Sequence, residues 1–145
     1  MNDKGYKEAI DLAFELNQQG KNEESVATLS TIYKDIPADD IGSLGIVGSL
    51  FREASELHKG LYCFQKAFEV DPNNPRVSLG LFHSLWRLER YDEALDELKR
   101  FLFVSQSEEH SRLLSEMEEG FFSDTSEGFA NPSLLIEAIR KELHD

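Results

Sequence analysis

The sequence predicts an all-α chain built as a stack of antiparallel helix pairs. Two observations predict it. Apolar residues recur at helical spacing along most of the chain, and one small-then-large apolar pattern returns three times at a nearly constant interval. The small residues Ser25, Gly60 and Ala94 stand 35 and 34 residues apart, and so do the large apolar residues Leu29, Phe64 and Leu98. A period of that length marks repeated helical hairpins, each too thin to bury its own apolar sides and so obliged to stack on its neighbours.

Each element follows from spacing and punctuation. Leu12, Ala13 and Leu16 lie one turn apart and give a first helix over 5–19, stopped at Gly20. Val26, Leu29, Ile32 and Tyr33 stripe a second helix over 22–35, which runs into Ile36-Pro37. A third helix over 40–54 carries Val47, Gly48 and Phe51, and a fourth over 57–70 carries Gly60, Phe64 and Ala67. Asp71-Pro72-Asn73-Asn74-Pro75 punctuates the chain before a fifth helix over 75–88, with Leu81, Phe82 and Leu85, and a sixth over 91–104, with Ala94, Leu98 and Phe101. Ala13, Ser25, Gly48, Gly60 and Ala94 are small enough to let paired backbones approach closely.

Beyond Val104 the pattern changes. Ser105 and Glu108 have capping-box spacing, and a helix over 107–119 presents Leu113, Leu114 and Met117 on one face up to a stop at Gly120. His110, next to Glu108 and Glu109, reads as part of a solvated helix start. Residues 121–130 read as a polar loop holding Phe121, Phe122 and Phe129. Asn131 and Pro132 then open a last helix over 132–144, with Leu135, Ile136, Ile139 and Leu143 as its stripe. Two readings of this tail stay open: it caps the stack, or it folds back and blocks a binding surface.

The run Gly60, Phe64, Ala67, Pro72 along the second helix of the middle unit resembles the tetratricopeptide repeat, which places a small residue, an aromatic and a proline in that order. Three units in register resemble it. They depart from it where Ala9, Leu44 and Ser78 replace the family's tryptophan, and where Gln106 replaces a closing proline. The resemblance implies a right-handed superhelical stack, a TPR-like α-solenoid. It implies one domain over 1–145, with repeats at about 6–40, 41–74 and 75–108 and capping helices at 107–119 and 132–144. It further implies a concave surface lined by the first helices, and protein binding as the function.

The side chains expected on that surface are those the packing pattern leaves unused, three or four residues apart. In the first unit they are Lys7, Ile10 and Phe14, with Asn17 and Gln18 beside them. In the second they are Gly45, Ser49 and Arg52, together with Gly42; in the third they are Arg76, Leu79, His83, Trp86 and Arg87. The set has cations, apolar anchors and no acid, and aromatics and Arg are the side chains enriched at binding hot spots. It would suit a partner segment with hydrophobic residues and carboxylates. The alternative is that Trp86 packs against a neighbouring helix and the arginines pair with Glu53 or Glu89. Gly42, Gly45 and Gly48 in one helix are either a bare patch for a ligand or an irregular helix start. The Lys and Asn clamp by which some family members hold a chaperone tail is missing: the corresponding surface shows Ile10, Phe14, Ile46 and Gly80, and only Arg76 keeps a charge.

Composition narrows the function classes. The net charge of −13 repels phosphate backbones, so neither nucleic acid nor an anionic membrane is expected as a partner. No apolar run is long enough for a transmembrane helix. The N-terminal residues lack a secretory pattern, and a cytoplasmic location is the default expectation. Cys63, the single cysteine, can form no internal disulfide and reads as a packing residue. His58, His83, His110 and His144 have no metal-ligand spacing, and there is neither a phosphate loop nor a nucleophile elbow. No catalytic residue, metal or cofactor is therefore expected. Besides a protein- or peptide-binding adaptor, the sequence allows a small acidic escort or inhibitor masking one basic partner, as immunity proteins do, or an oligomeric scaffold. The oligomeric state stays open.

Overall fold

The computed structural model describes residues 3–104, 108–118 and 141. Among the described residues every regular element is helical: α1 (Asp3–Gln18), α2 (Asn22–Ser30), a 3-10 turn at Tyr33–Asp35, α3 (Ile41–Glu53), α4 (Leu57–Val70), α5 (Pro75–Arg87), α6 (Tyr91–Val104) and α7 (Glu108–Glu118). The chain falls into two compact units, Met1–Pro72 and Asn73–Asp145. Consecutive helices pair, α1 with α2, α3 with α4 and α5 with α6, as an α-solenoid of the TPR type requires. The expected helix over 132–144 and the loop over 121–130 lie outside the described residues, and so does the choice between capping and blocking for that tail.

The first helix of each hairpin ends in the same way. Lys21 N–H reaches Leu16 C=O at 2.9 Å, Glu56 reaches Phe51 at 2.8 Å and Arg90 reaches Leu85 at 2.9 Å, each bond closing a Schellman turn. The turn needs a left-handed residue. Gly20 supplies it at φ 78°, and Ser55 and Glu89 are held in the same region at φ 64° and 61°. The chain reverses within three residues at each site, which makes the paired helices antiparallel.

In the first unit, the second hairpin closes most tightly. A Cβ placed on Gly60 would stand 3.0 Å from the Gly48 carbonyl, and one on Gly48 would stand 2.8 Å from the Phe64 ring. The expectation that small residues let these backbones approach holds in that geometry. In the first hairpin Ser25 does similar work through a buried hydroxyl that donates to the Ala13 carbonyl at 2.7 Å. Asp40 caps α3 by accepting the Ser43 N–H at 3.2 Å, and it also accepts the Tyr6 hydroxyl at 2.6 Å, which ties the start of α1 to the start of α3. Burial works against the Asp40 carboxylate. Hydrogen bonds from Tyr6 and Ser43, with Lys7 nearby, outweigh it and hold the pKa below its ordinary value.

Two expectations for this unit are corrected. The second helix does not run to residue 35. Thr28 and Thr31 turn their hydroxyls onto the carbonyls of Glu24 and Thr28 at 2.9 and 2.7 Å, and the Thr31 and Ile32 N–H groups bond three residues back instead of four. The helix tightens and ends. Ile36, constrained by Pro37, is extended at φ −66° and ψ 124°. Tyr33 therefore sits on the 3-10 turn, edge-on to Phe51 and Tyr62 with centroids 5.2 and 5.3 Å away. The phase of α1 is also different. Its buried stripe is Tyr6, Ile10 and Ala13, and Leu12 is 49% exposed. Ile10 is thus a core residue and not a groove anchor.

In the second unit α5 is buried nearly all round, from Val77 and Ser78 through Leu81 and Phe82 to Leu85 and Trp86. Pro75 opens it and Asn74 caps it, accepting from the Arg76 and Val77 N–H groups. Trp86 is only 4% exposed; it stacks on Phe82 at 5.7 Å and meets Tyr91 edge-on at 4.7 Å. This corrects its assignment as a binding anchor: ring packing within the unit takes the indole. α7 packs on α5 and α6, and His110 corrects the reading of a solvated helix start. Glu108 and Glu109 are exposed, but His110 is fully buried, stacked on Phe101 at 4.0 Å with an interplanar angle of 13°.

Candidate protein-binding surfaces

In the first unit α1 and α3 pack directly on each other, which places the predicted residues of the first two repeats on neighbouring helices. Lys7 and Phe14 are exposed on α1, Phe14 at 47%. On α3, Gly45, Ser49 and Arg52 are half-buried and Gly42 is exposed. The glycines do not mark an irregular start, since α3 is a regular helix capped by Asp40. An added Cβ at Gly42 or Gly45 would meet nothing within 4 Å, so both open onto unfilled space. Ile46 lies on the same row of the helix and is 48% exposed. In the sequence it stands out only as a position lacking a clamp residue, although its spacing from Gly42 and Ser49 puts it on this face. Arg52 lies over the Phe64 ring at 5.8 Å, so its stem and charge are held against the helix pair.

On α5 of the second unit, Arg76 and Arg87 are exposed and Leu79 and His83 are half-buried. His83 packs edge-on against Phe82 at 5.3 Å. These four share one row of α5, from which the buried Trp86 is removed.

One cluster has the residue types of a hydrolase site and needs weighing as chemistry. The Ser78 hydroxyl donates to Glu97 at 2.6 Å, and His110 Nε2 lies 2.9 Å from the same oxygen. Arg100 grips the Glu97 carboxylate from two nitrogens at 2.7 and 2.8 Å and reaches Asn73 at 3.3 Å. In a nucleophilic triad the histidine stands between the hydroxyl and the acid. Here the hydroxyl stands in the middle, donates its hydrogen bond straight to the carboxylate, and is itself buried. With that proton committed, the Ser78 oxygen can only accept, so His110 Nε2 carries a hydrogen. The arrangement clasps α7 to α5 and α6. Burial pushes the His110 pKa below its ordinary value, although Glu97 and Glu109 pull it the other way.

Cys63 is fully buried, and burial pushes its thiol up to about 12, so it is not a nucleophile at neutral pH. Among the described residues no group of three His, Cys, Asp or Glu side chains is placed to hold a metal ion. Among the same residues no helix is long and apolar enough to cross a membrane.

No curated protein matches the chain. The family model described as the Psidin, N-terminal TPR repeats region matches residues 8–97, which runs from within α1 through α5 and the first half of α6. With helical hairpins at a 34- to 35-residue period and that match over more than half its length, the chain belongs to this TPR-repeat family.

Proposed function

We propose that this protein is an interaction module that holds a segment of a partner polypeptide on the α1–α3 face of its first unit. TPR repeats generally mediate protein–protein interaction, and the observation that carries the finer reading is the pair of open glycines on α3. Gly42 and Gly45 each weaken a helix by about 1 kcal/mol relative to alanine. Neither has a packing neighbour that requires its smallness. A helix that keeps two such residues beside an exposed Ile46, next to a helix presenting Phe14, leaves room for a ligand backbone to come close. Phe14 and Ile46 supply apolar contact, and Lys7 and Arg52 give the rim a cationic character. The partner that fits is an extended or helical segment with apolar residues and carboxylates. The row Arg76, Leu79, His83 and Arg87 on α5 offers the second unit a face of the same kind. A cytoplasmic, reducing setting suits a chain whose single thiol is enclosed.

Filling the patch tests the proposal without disturbing the core. Gly45→Leu adds a side chain into open space and raises helix propensity, so the folded protein should melt slightly higher. Affinity capture from the native lysate, with partners identified by mass spectrometry, should lose its specific partner in Gly45→Leu and in Phe14→Ala. An unchanged partner set in both variants would overturn the proposal. Trp86→Ala is unsuitable as a probe because it removes a core ring.

A further inference from the structure

The repeat register allows one position to be compared in successive hairpins. Ala9 corresponds to Leu44, Leu12 to Val47 and Leu16 to Phe51, and on the second helices Val26 corresponds to Leu61, each 35 residues on. In the second hairpin all four are buried, and Leu44, Val47 and Phe51 are wholly so, where α3 packs on both α1 and α2. In the first hairpin Leu12 is 49% exposed, and Ala9, Leu16 and Val26 are half-buried. The face that is buried in the second hairpin is open in the first. Leu12 and Phe14 are two residues apart, about 200° around the helix, so this face lies on the other side of α1 from the surface proposed above.

The rim of the open face says what fits it. Glu8, Asp11 and Glu15 are all exposed and flank Leu12 within two turns of α1. None of the ion pairs Lys59–Glu56, Arg90–Glu93 and Arg100–Glu97 reaches this row. We infer that the outer face of the first hairpin docks an amphipathic helix of a partner protein, its apolar side on Leu12, Leu16 and Val26 and its Lys or Arg flanks against Glu8, Asp11 and Glu15. The shape follows from the second hairpin, where the equivalent positions are buried and α3 packs against two helices. The charge follows from the carboxylates. A second copy of this chain is a poor occupant, because at net −13 it brings like charge to an acidic rim.

The test uses the full chain and a fluorescent amphipathic peptide with leucines at helical spacing flanked by lysines, followed by anisotropy. A second peptide carries glutamates in place of the lysines. The Leu/Lys peptide should bind, and more weakly as salt is raised. Leu12→Glu should lower its affinity by at least about tenfold. The double variant Glu8→Lys, Glu15→Lys should do the same, and Gly45→Leu should have no effect. Glu8, Leu12 and Glu15 are exposed and half-buried Gly45 opens onto unfilled space, so each variant should fold, which circular dichroism checks. Equal binding of the Leu/Glu peptide, or no binding of the Leu/Lys peptide, overturns the inference. So does Leu12→Glu binding like the wild type. Self-association of the wild type in sedimentation that Leu12→Glu abolishes also overturns it, by giving the face to a second copy. Loss of peptide binding in Gly45→Leu alone would assign the peptide to the α1–α3 face instead.

Discussion

Ser55 and Glu89 occupy left-handed turns that Gly20 enters without strain. For a residue with a Cβ that conformation costs on the order of 1 kcal/mol. Glu89→Gly should therefore stabilise the protein by about 0.5 to 1 kcal/mol in urea unfolding, since the position lies just beyond α5 and no helical residue is weakened. Gly60→Ala should do the opposite. Alanine favours the helix by about 1 kcal/mol, but its Cβ would press on the Gly48 carbonyl at 3.0 Å, and backbone yields less than a side chain does. Overpacking of that kind costs about 1 to 3 kcal/mol, so a net loss of stability is expected from the same measurement. Ser84 is the third case. Its buried hydroxyl has no hydrogen-bond partner among the described residues, and an unsatisfied buried donor costs about 1 to 3 kcal/mol. Ser84→Ala should raise the melting temperature, and a fall would mean that the hydroxyl is satisfied after all. The strain at 55 and 89 was not legible in the sequence, because glycine stands at only one of three equivalent turns. The sequence did show Gly48 and Gly60 as close-approach sites, because smallness recurs there with the repeat.

Helix positions were legible from the period, whereas helix faces were legible only where one stripe excluded the others. In α1 two stripes compete, Leu12-Ala13-Leu16 and Tyr6-Ile10-Ala13, and both have helical spacing. Spacing alone cannot say which one a neighbouring helix covers, and the Tyr6 bond to Asp40 shows that contact with α3 favours the second. In α5 the row Arg76, Leu79, His83 and Arg87 was legible, but most other positions are apolar or small, so spacing alone could not divide the buried Trp86 from that row. His110 was missed for a related reason: two exposed glutamates before it made the segment look solvated. Its burial has a consequence for α7. A histidine whose pKa is depressed in the folded state takes up its proton less readily than in the undocked segment. Stability is then unaffected well above the ordinary value of 6.5 and declines as the pH falls below it. Between neutral pH and about pH 5, hydrogen exchange in α7 should quicken relative to α3 and α4. His110→Phe, which keeps the stacking on Phe101 but not the titration, should remove that difference. An equal acid response in the variant would place its cause elsewhere, as in Asp40 or Glu93, carboxylates whose pKa the fold holds below the ordinary value.

At the scale of the whole molecule, the 35- and 34-residue intervals identified the architecture before any contact was known, because a repeat must bury the same positions each time. What the period could not convey is that equivalent positions differ in burial: Leu12 is exposed where Val47 is buried, a structural fact with no counterpart in the spacing. Charge also acts at this scale. The chain has 28 acidic and 15 basic residues, and the net −13 is confined to a small folded surface while the unfolded chain spreads it out. Repulsion of that kind weakens the compact state and is screened by salt, with a Debye length falling from about 10 Å at 0.1 M to about 3 Å at 1 M. Salt also weakens favourable pairs. Among the described residues Lys59–Glu56 and Arg90–Glu93 sit at the surface, where such a pair contributes no more than about 1 kcal/mol. The repulsive sum should dominate, so the melting temperature at fixed neutral pH should rise as sodium chloride is added through the range where the Debye length shortens most, and then level off. Urea unfolding at low and moderate salt should show the same sign. A melting temperature that falls with added salt would mean that paired charges, above all Glu97 with Arg100 beneath α7, hold the fold more strongly than the excess of carboxylates strains it.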